Sequence, residues 1–150
     1  MKLTILSVLL LIFGLFLSAC GGALAANASN ASPEPAVVED QAGLIAVLKS
    51  AGATVETGEP ILQPFFSVEG DTINVNGADI QVFEYESTEA MELDSSQIAP
   101  DGSSNATTMI TWIDTPHFYK AGRIIALYIG SDETALSLLE GALGSQFAGG

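Results

Sequence analysis

The segment Thr72-Ile-Asn-Val-Asn-Gly-Ala-Asp-Ile-Gln-Val-Phe-Glu-Tyr85 contains two β-rich runs separated by Asn76-Gly77. Asn-Gly is the dipeptide that best tolerates the positive φ angles of a type I′ hairpin turn. With a two-residue loop, Ile73 faces Ile80 across the hairpin, so that one face is apolar. The segment therefore predicts an antiparallel hairpin with a defined register and one buried face.

Helical patterns lie on both sides of this hairpin. Apolar residues recur at helical spacing after a plausible N-cap, and glycines stand where the two outer helices should end. These signals predict helices over about 41–51 behind Asp40 and before Gly52, over about 88–97, and from Ser131 or Asp132 to Gly144.

Two further β-rich runs, Thr108–Asp114 and Arg123–Ile129, follow the second helix. The second run is apolar on both faces, which is typical of a central strand. Residues 60–66 are interpreted as irregular. The predicted order is α-β-β-α-β-β-α, a small single α+β domain in which an antiparallel sheet of about four strands has helices on one face.

The first residues have the pattern of a targeting segment. Met1-Lys2 precedes an apolar run of about 15 residues, which is shorter than the roughly 20 needed to span a bilayer as a helix. Leu17-Ser18-Ala19-Cys20 resembles the bacterial lipobox at all four positions. The resemblance implies a signal peptide over residues 1–19 and a covalent diacylglycerol on Cys20. The alternatives are a plain secretory signal and an uncleaved anchor.

The lipobox resemblance implies that the membrane is a partner through the lipid. It places the protein in the cell envelope, at the outer face of the plasma membrane or at the outer membrane. Residues 20–39 are rich in small and polar residues and are expected to form a lipidated, disordered tether. Residues 40–150 then form the domain.

Composition excludes several classes of function. The chain has 4 Lys and Arg against 18 Asp and Glu, so it cannot form the basic surface that binds nucleic acid. One Cys and one His exclude intramolecular disulfides, Cys-rich zinc sites and the H-E-x-x-H zinc motif. No cofactor other than the lipid is expected.

His117 is the weak candidate for a catalytic residue. Its ordinary pKa suits a general base, and an acid such as Asp114 could assist it. The favoured alternative is that Pro116 starts a turn and His117 packs within a strand connection. No G-x-S-x-G or S-x-x-K motif marks a nucleophile.

An acidic cluster lies around the end of the hairpin, with no base nearby, at Glu84, Glu86, Glu89, Glu92 and Asp94. Clustered carboxylates could bind Ca²⁺, but these residues lack the spacing of an EF-hand loop. A solvated strand edge and helix face is the favoured interpretation. We therefore expect no metal site.

Candidate ligand-binding residues are mostly aromatic: Phe65, Phe66, Trp112, His117, Phe118 and Tyr119. Exposed together, such side chains would suit sugar rings, peptides or a partner protein. As core residues they need no function, and this second interpretation is favoured.

Three segments, Gln63–Phe66, Val82–Tyr85 and Thr115–Gly130, resemble an uncharacterised family of short bacterial lipoproteins. The resemblance implies no catalytic residue. The leading hypothesis is a membrane-anchored envelope lipoprotein that acts as a non-catalytic binding or interaction module, with an envelope protein, polymer or small ligand as partner. The alternative is an envelope hydrolase that uses His117.

Overall fold

A computed structural model describes residues 37–106 and 108–150. The predicted signal peptide, Cys20 and most of the tether lie outside the described residues. The described residues form three helices: α1 (Gln41–Ser50), α2 (Thr88–Ser95) and α3 (Glu133–Leu143). The strands are β1 (Val55–Ile61), β2 (Gly70–Val75), β3 (Ala78–Glu84), β4 (Ser104–Asn105), β5 (Thr108–Met109), β6 (Pro116–Ala121), β7 (Ile124–Ile129) and β8 (Ala148–Gly149). No described helix is long and apolar enough to cross a membrane.

The main sheet is antiparallel throughout, with the order β1-β2-β3-β7-β6-β8. It has six strands, so the prediction of about four was too low. The predicted locations of the four strands were also only partly right. The run 108–114 is not a strand of the main sheet, because only two of its residues are in a strand, which belongs to the separate two-stranded sheet β4-β5. The strand beside β7 is instead β6, which begins at Pro116.

The central hairpin is confirmed. Ile73 pairs with Ile80 and Val75 with Ala78, as the two-residue loop requires. Asn76 and Gly77 have φ angles of 53° and 96°, as in a type I′ turn. The prediction that Arg123–Ile129 is central is also confirmed, since β7 lies between β3 and β6.

The caps of the helices form as predicted. The Asp40 side chain accepts a hydrogen bond from the backbone N–H of Gly43, and Asp132 accepts from Thr134 and Ala135. Gly52 and Gly144 adopt positive φ angles after α1 and α3. These local signals therefore place both outer helices correctly.

Two hydrophobic clusters lie on opposite faces of the sheet, because alternate residues of each strand point to opposite sides. On the first face, α1 and α3 cover the sheet with Leu44, Leu48 and Leu139, all fully buried. On the second face, α2 and two irregular segments cover Phe83, Ile125 and Leu127. The prediction of helices on one face was therefore wrong, since α2 packs on the other face through Met91.

The packed domain includes residues just before Asp40. Val38 is buried in the first cluster, and the Glu39 carbonyl accepts a hydrogen bond from the Arg123 N–H. Gly122, at a φ of 54°, lies so close to the Glu39 backbone that a β carbon would collide with it. The β6-β7 turn thus fixes the start of the domain.

Candidate functional site

Four of the predicted aromatic residues meet on the second face. Ring centroids are 4.9 Å apart for Phe65 and Phe66, 5.7 Å for Phe65 and Trp112, and 5.7 Å for Trp112 and Phe118. The two Trp112 contacts are edge-to-face, which aromatic rings favour. Phe66 and Phe118 are buried, whereas Phe65 and Trp112 are only partly covered.

Phe65 and Trp112 line a cleft of about 440 Å³. This volume lies within the usual range of ligand sites, roughly 300–1,000 Å³. The other apolar side chains of its lining are Met109, Ile110, Ile113 and Ile129. Pro64 and the polar side chains of Gln63, Asn105, Thr108 and Thr111 complete it, so that no charged residue in the described part of the chain lines the cleft.

Hydrogen bonds hold the two walls of the cleft together. The Asn105 Nδ2 donates to the Phe65 carbonyl at 2.9 Å, which joins segment 63–66 to segment 104–113. The Trp112 Nε1 donates to the Gly102 carbonyl at 2.7 Å and fixes the plane of the indole. Gln63 Nε2 donates to Gln81 Oε1 on β3. The cleft is therefore built into the fold without a ligand.

The rim of the cleft is apolar and exposed. Met109 is 84% exposed and Ile113 is 97% exposed, the two highest values among the large hydrophobic residues described. Isolated exposed apolar residues are ordinary on a protein surface, but here two of them border one apolar cleft.

Sequence reasoning missed Met109, Ile110, Ile113 and Ile129 as site residues. A signal was present, because the run 108–113 carries apolar residues on both faces of an extended chain. Two-sided apolarity indicates either a central strand or a strand with an exposed apolar face. Here Ile110 and Trp112 point inward, and Met109 and Ile113 point to solvent.

His117 and Tyr119 lie on the other face of the sheet, away from the cleft. His117 is buried, its Nδ1 is 2.8 Å from Gln146 Oε1, and its Nε2 is 3.1 Å from the Gly130 carbonyl. Neither partner is a nucleophile or a carboxylate, and Asp114 Oδ1 accepts from the Thr115 N–H. Tyr119 is buried in the first cluster, where burial and then the nearby Glu140 charge raise the pKa of its hydroxyl.

Asp94 is a buried carboxylate beneath the second-face segments. Its Oδ2 accepts hydrogen bonds from the backbone N–H and hydroxyl of Ser67, at 2.7 and 2.8 Å, and from the Tyr85 hydroxyl at 3.1 Å. These donors offset the cost of removing the charge from water. Burial, followed by the Asp94 charge, raises the pKa of Tyr85 well above its usual range. The network joins α2 to the segment that carries Phe65.

The acidic residues that are clustered in the sequence have separate partners in the folded domain. Glu84 pairs with Arg123 at 2.6 Å, Glu92 pairs with Lys120, and Asp94 accepts the three hydrogen bonds above. Among residues 37–106 and 108–150, no group of three or more His, Cys, Asp and Glu side chains converges.

Most of the basic side chains in the described part of the chain take part in ion pairs. All acidic residues except Glu34, and all basic residues except Lys2, lie in the described part of the chain. Of its three basic residues, Lys120 and Arg123 form ion pairs, and Lys49 lies at the end of α1 on the first face. The described residues therefore hold 17 acidic side chains against 3 basic ones, and the domain is strongly acidic.

Comparisons with protein-family models, with curated proteins and with solved structures returned no significant match to this chain. Functional inference accordingly depends on the cleft and on the leader motif.

Proposed function

We propose that this chain is a lipid-anchored protein of the bacterial cell envelope and that its domain is a non-catalytic binding module. The lipobox Leu17-Ser18-Ala19-Cys20 supports the anchor. Two or three acyl chains would hold such a protein stably in a membrane, whereas one gives only marginal binding. The ligand occupies the cleft beside Trp112.

The exposed apolar rim carries the binding proposal. Met109 and Ile113 are 84% and 97% exposed, and they border a cleft whose walls are joined by hydrogen bonds. Leaving such side chains in water forgoes the stabilisation that burial would give, about 25 cal/mol per Å² of apolar surface. A ligand that covers them recovers this free energy.

The anchor is tested by the mass of the amino-terminal peptide of the protein purified from its native host. We expect the chain to begin at Cys20 and to carry the added mass of diacylglycerol. The variant Cys20→Ala should retain the leader and lack the lipid mass. An unmodified Cys20, or cleavage at another residue, would overturn the anchor.

The binding module is tested by photocrosslinking in living cells. A photoreactive amino acid at Ile113 should give a discrete adduct that depends on ultraviolet light. The same amino acid at Leu93 is the matched control, because Leu93 is also exposed, at 66%, but lies on α2 outside the cleft. Equal crosslinking at both positions, or none at either, would contradict a binding role for the cleft.

A further inference from the structure

We infer that the cleft binds an extended segment of a partner protein that carries bulky apolar side chains flanked by Lys or Arg. This inference rests on the proposed function and names its ligand class. Three features of the cleft select this class: an apolar lining, an acidic setting and an extended wall.

The lining selects apolar side chains as the anchor. Phe65, Trp112 and Ile129 line the cleft, and none of the lining residues among 37–106 and 108–150 carries a charge that could pair with a buried ligand charge. A charged group inside would lose its hydration without compensation. The uncharged Gln63, Asn105 and Thr111 can still bind the polar backbone of a peptide.

The charge around the cleft selects basic flanks. Asp114 follows Ile113 directly, and Asp101 precedes Gly102, whose carbonyl accepts the Trp112 hydrogen bond. The backbone N–H of Ser103 and then its hydroxyl lower the pKa of Asp101, so this carboxylate stays ionised over a wide pH range. Fatty acids and other anionic amphiphiles would be repelled by this field, whereas Lys and Arg would be attracted.

The shape of the wall selects an extended chain. Thr108 and Met109 form strand β5, and exposed and half-buried residues then alternate as far as a bend at Ile113. Ile110 and Trp112 are half-buried, whereas Met109 and Ile113 are exposed, an alternation typical of extended backbone. The exposed side chains are four residues apart and border the cleft along this wall. A peptide lying along it can insert apolar side chains into the cleft while its basic flanks approach Asp114, which follows Ile113, and the other carboxylates of this acidic domain.

Trp112 makes this inference directly measurable, because it is the only Trp in the chain. The full chain is reconstituted in phosphatidylcholine vesicles and titrated with the capped peptide Lys-Lys-Leu-Phe-Leu-Lys-Lys while Trp fluorescence is recorded. Two matched peptides replace every Lys by Glu, or the central Leu-Phe-Leu by Ser-Ser-Ser. Protein-free vesicles control for binding of peptide to lipid.

We expect saturable binding of the basic apolar peptide and at least about tenfold weaker binding of both matched peptides. Added salt should weaken binding several-fold, because exposed charges are screened. Ile113→Ser, which removes the exposed apolar side chain without adding charge, should weaken binding at least about tenfold. Leu93→Ser, the same kind of change outside the cleft, should leave binding unchanged.

Equal affinity for the Lys and Glu peptides would overturn the basic flanks, and equal affinity for the Ser-Ser-Ser peptide would overturn the apolar anchor. No fluorescence response to any peptide would overturn the peptide class. In each case a discrete crosslink at Ile113 in cells would leave the binding module standing, and its loss would remove both proposals.

Discussion

The two faces of the sheet are built differently. On the first face, α1 and α3 lie over the strands and close a regular core of aliphatic side chains around Leu48 and Leu139. On the second face, the short α2 and the segments around Phe65 and Trp112 cover an aromatic core with a buried carboxylate beneath them. Helices seal a sheet efficiently, whereas irregular segments leave room for a cleft. The second face is therefore where we place the function.

The largest effect is expected on the first face. Leu139→Ala should lower the free energy of unfolding by about 2–5 kcal/mol, because it leaves a cavity in a fully buried position. Chemical denaturation monitored by circular dichroism measures this change. The half-buried neighbour Leu138, changed to Ala, should lose less than half as much. Similar losses at both positions would mean that the first face is not the closed core described.

A smaller loss in the free energy of unfolding is expected from Asp94→Ala on the second face. Asp94→Ala leaves the Tyr85 hydroxyl and the Ser67 N–H without their acceptor, at a cost of roughly 2–3 kcal/mol. Glu92→Ala, which removes an exposed ion pair from the same helix, should cost about 0.5 kcal/mol or less. Because Ser67 follows the segment carrying Phe65, acrylamide should also quench Trp112 more strongly in Asp94→Ala. Unchanged quenching would show that the Asp94 hydrogen bonds do not help to hold the walls of the cleft around Trp112.

Tyr85→Phe should cost roughly 1–2 kcal/mol near neutral pH, since it removes one buried hydrogen bond to a carboxylate. The Tyr85 pKa is higher in the folded protein than its ordinary value of 10.0, so the folded state holds the proton more tightly. Its contribution is therefore complete below about pH 10 and declines as the pH rises further. Denaturation between pH 8 and 11.5 should show wild type and Tyr85→Phe converging above pH 10. A constant gap would contradict the raised pKa.

The smallest effect on stability is expected at the rim of the cleft. Ile113→Ser should change the free energy of unfolding by no more than about 0.5 kcal/mol, because the side chain is 97% exposed. The same variant should nevertheless bind the basic apolar peptide at least about tenfold more weakly in the Trp fluorescence titration, because the exposed apolar side chain that contacts the peptide is lost. Thermal unfolding checks the first expectation, with Val37→Ser as an exposed control. A loss above 2 kcal/mol would show that Ile113 is structural.

Local signals predicted the elements that depend on neighbouring residues. Asn76-Gly77 defines the hairpin turn, Asp40 and Asp132 begin helices, and Gly144 ends one. Each acts through φ angles or hydrogen bonds within a few residues, so the pattern alone carries the information.

Strands β1 and β6 were harder to predict because their sequence patterns are atypical of strands. Strand β1 contains Gly58 and Pro60 and has a register shift between Thr57 and Pro60, features that an edge strand tolerates. Strand β6 begins at Pro116, a residue typical of a turn, yet it pairs along its whole length with β7, with Phe118 opposite Leu127. Its pairing partners are what make it a strand.

The sequence by itself determined the leader motif, the acidic composition, the hairpin register and the ends of two helices, since all of these are properties of adjacent residues. Only the tertiary structure decided which aromatic side chains meet. Phe65 and Trp112 are far apart in the chain, and packing on one face of the sheet brings their ring centroids to 5.7 Å. The same packing sends His117 to the opposite face, because neighbouring residues of a strand point to opposite sides. The cleft is a product of long-range packing, and no local pattern specifies it.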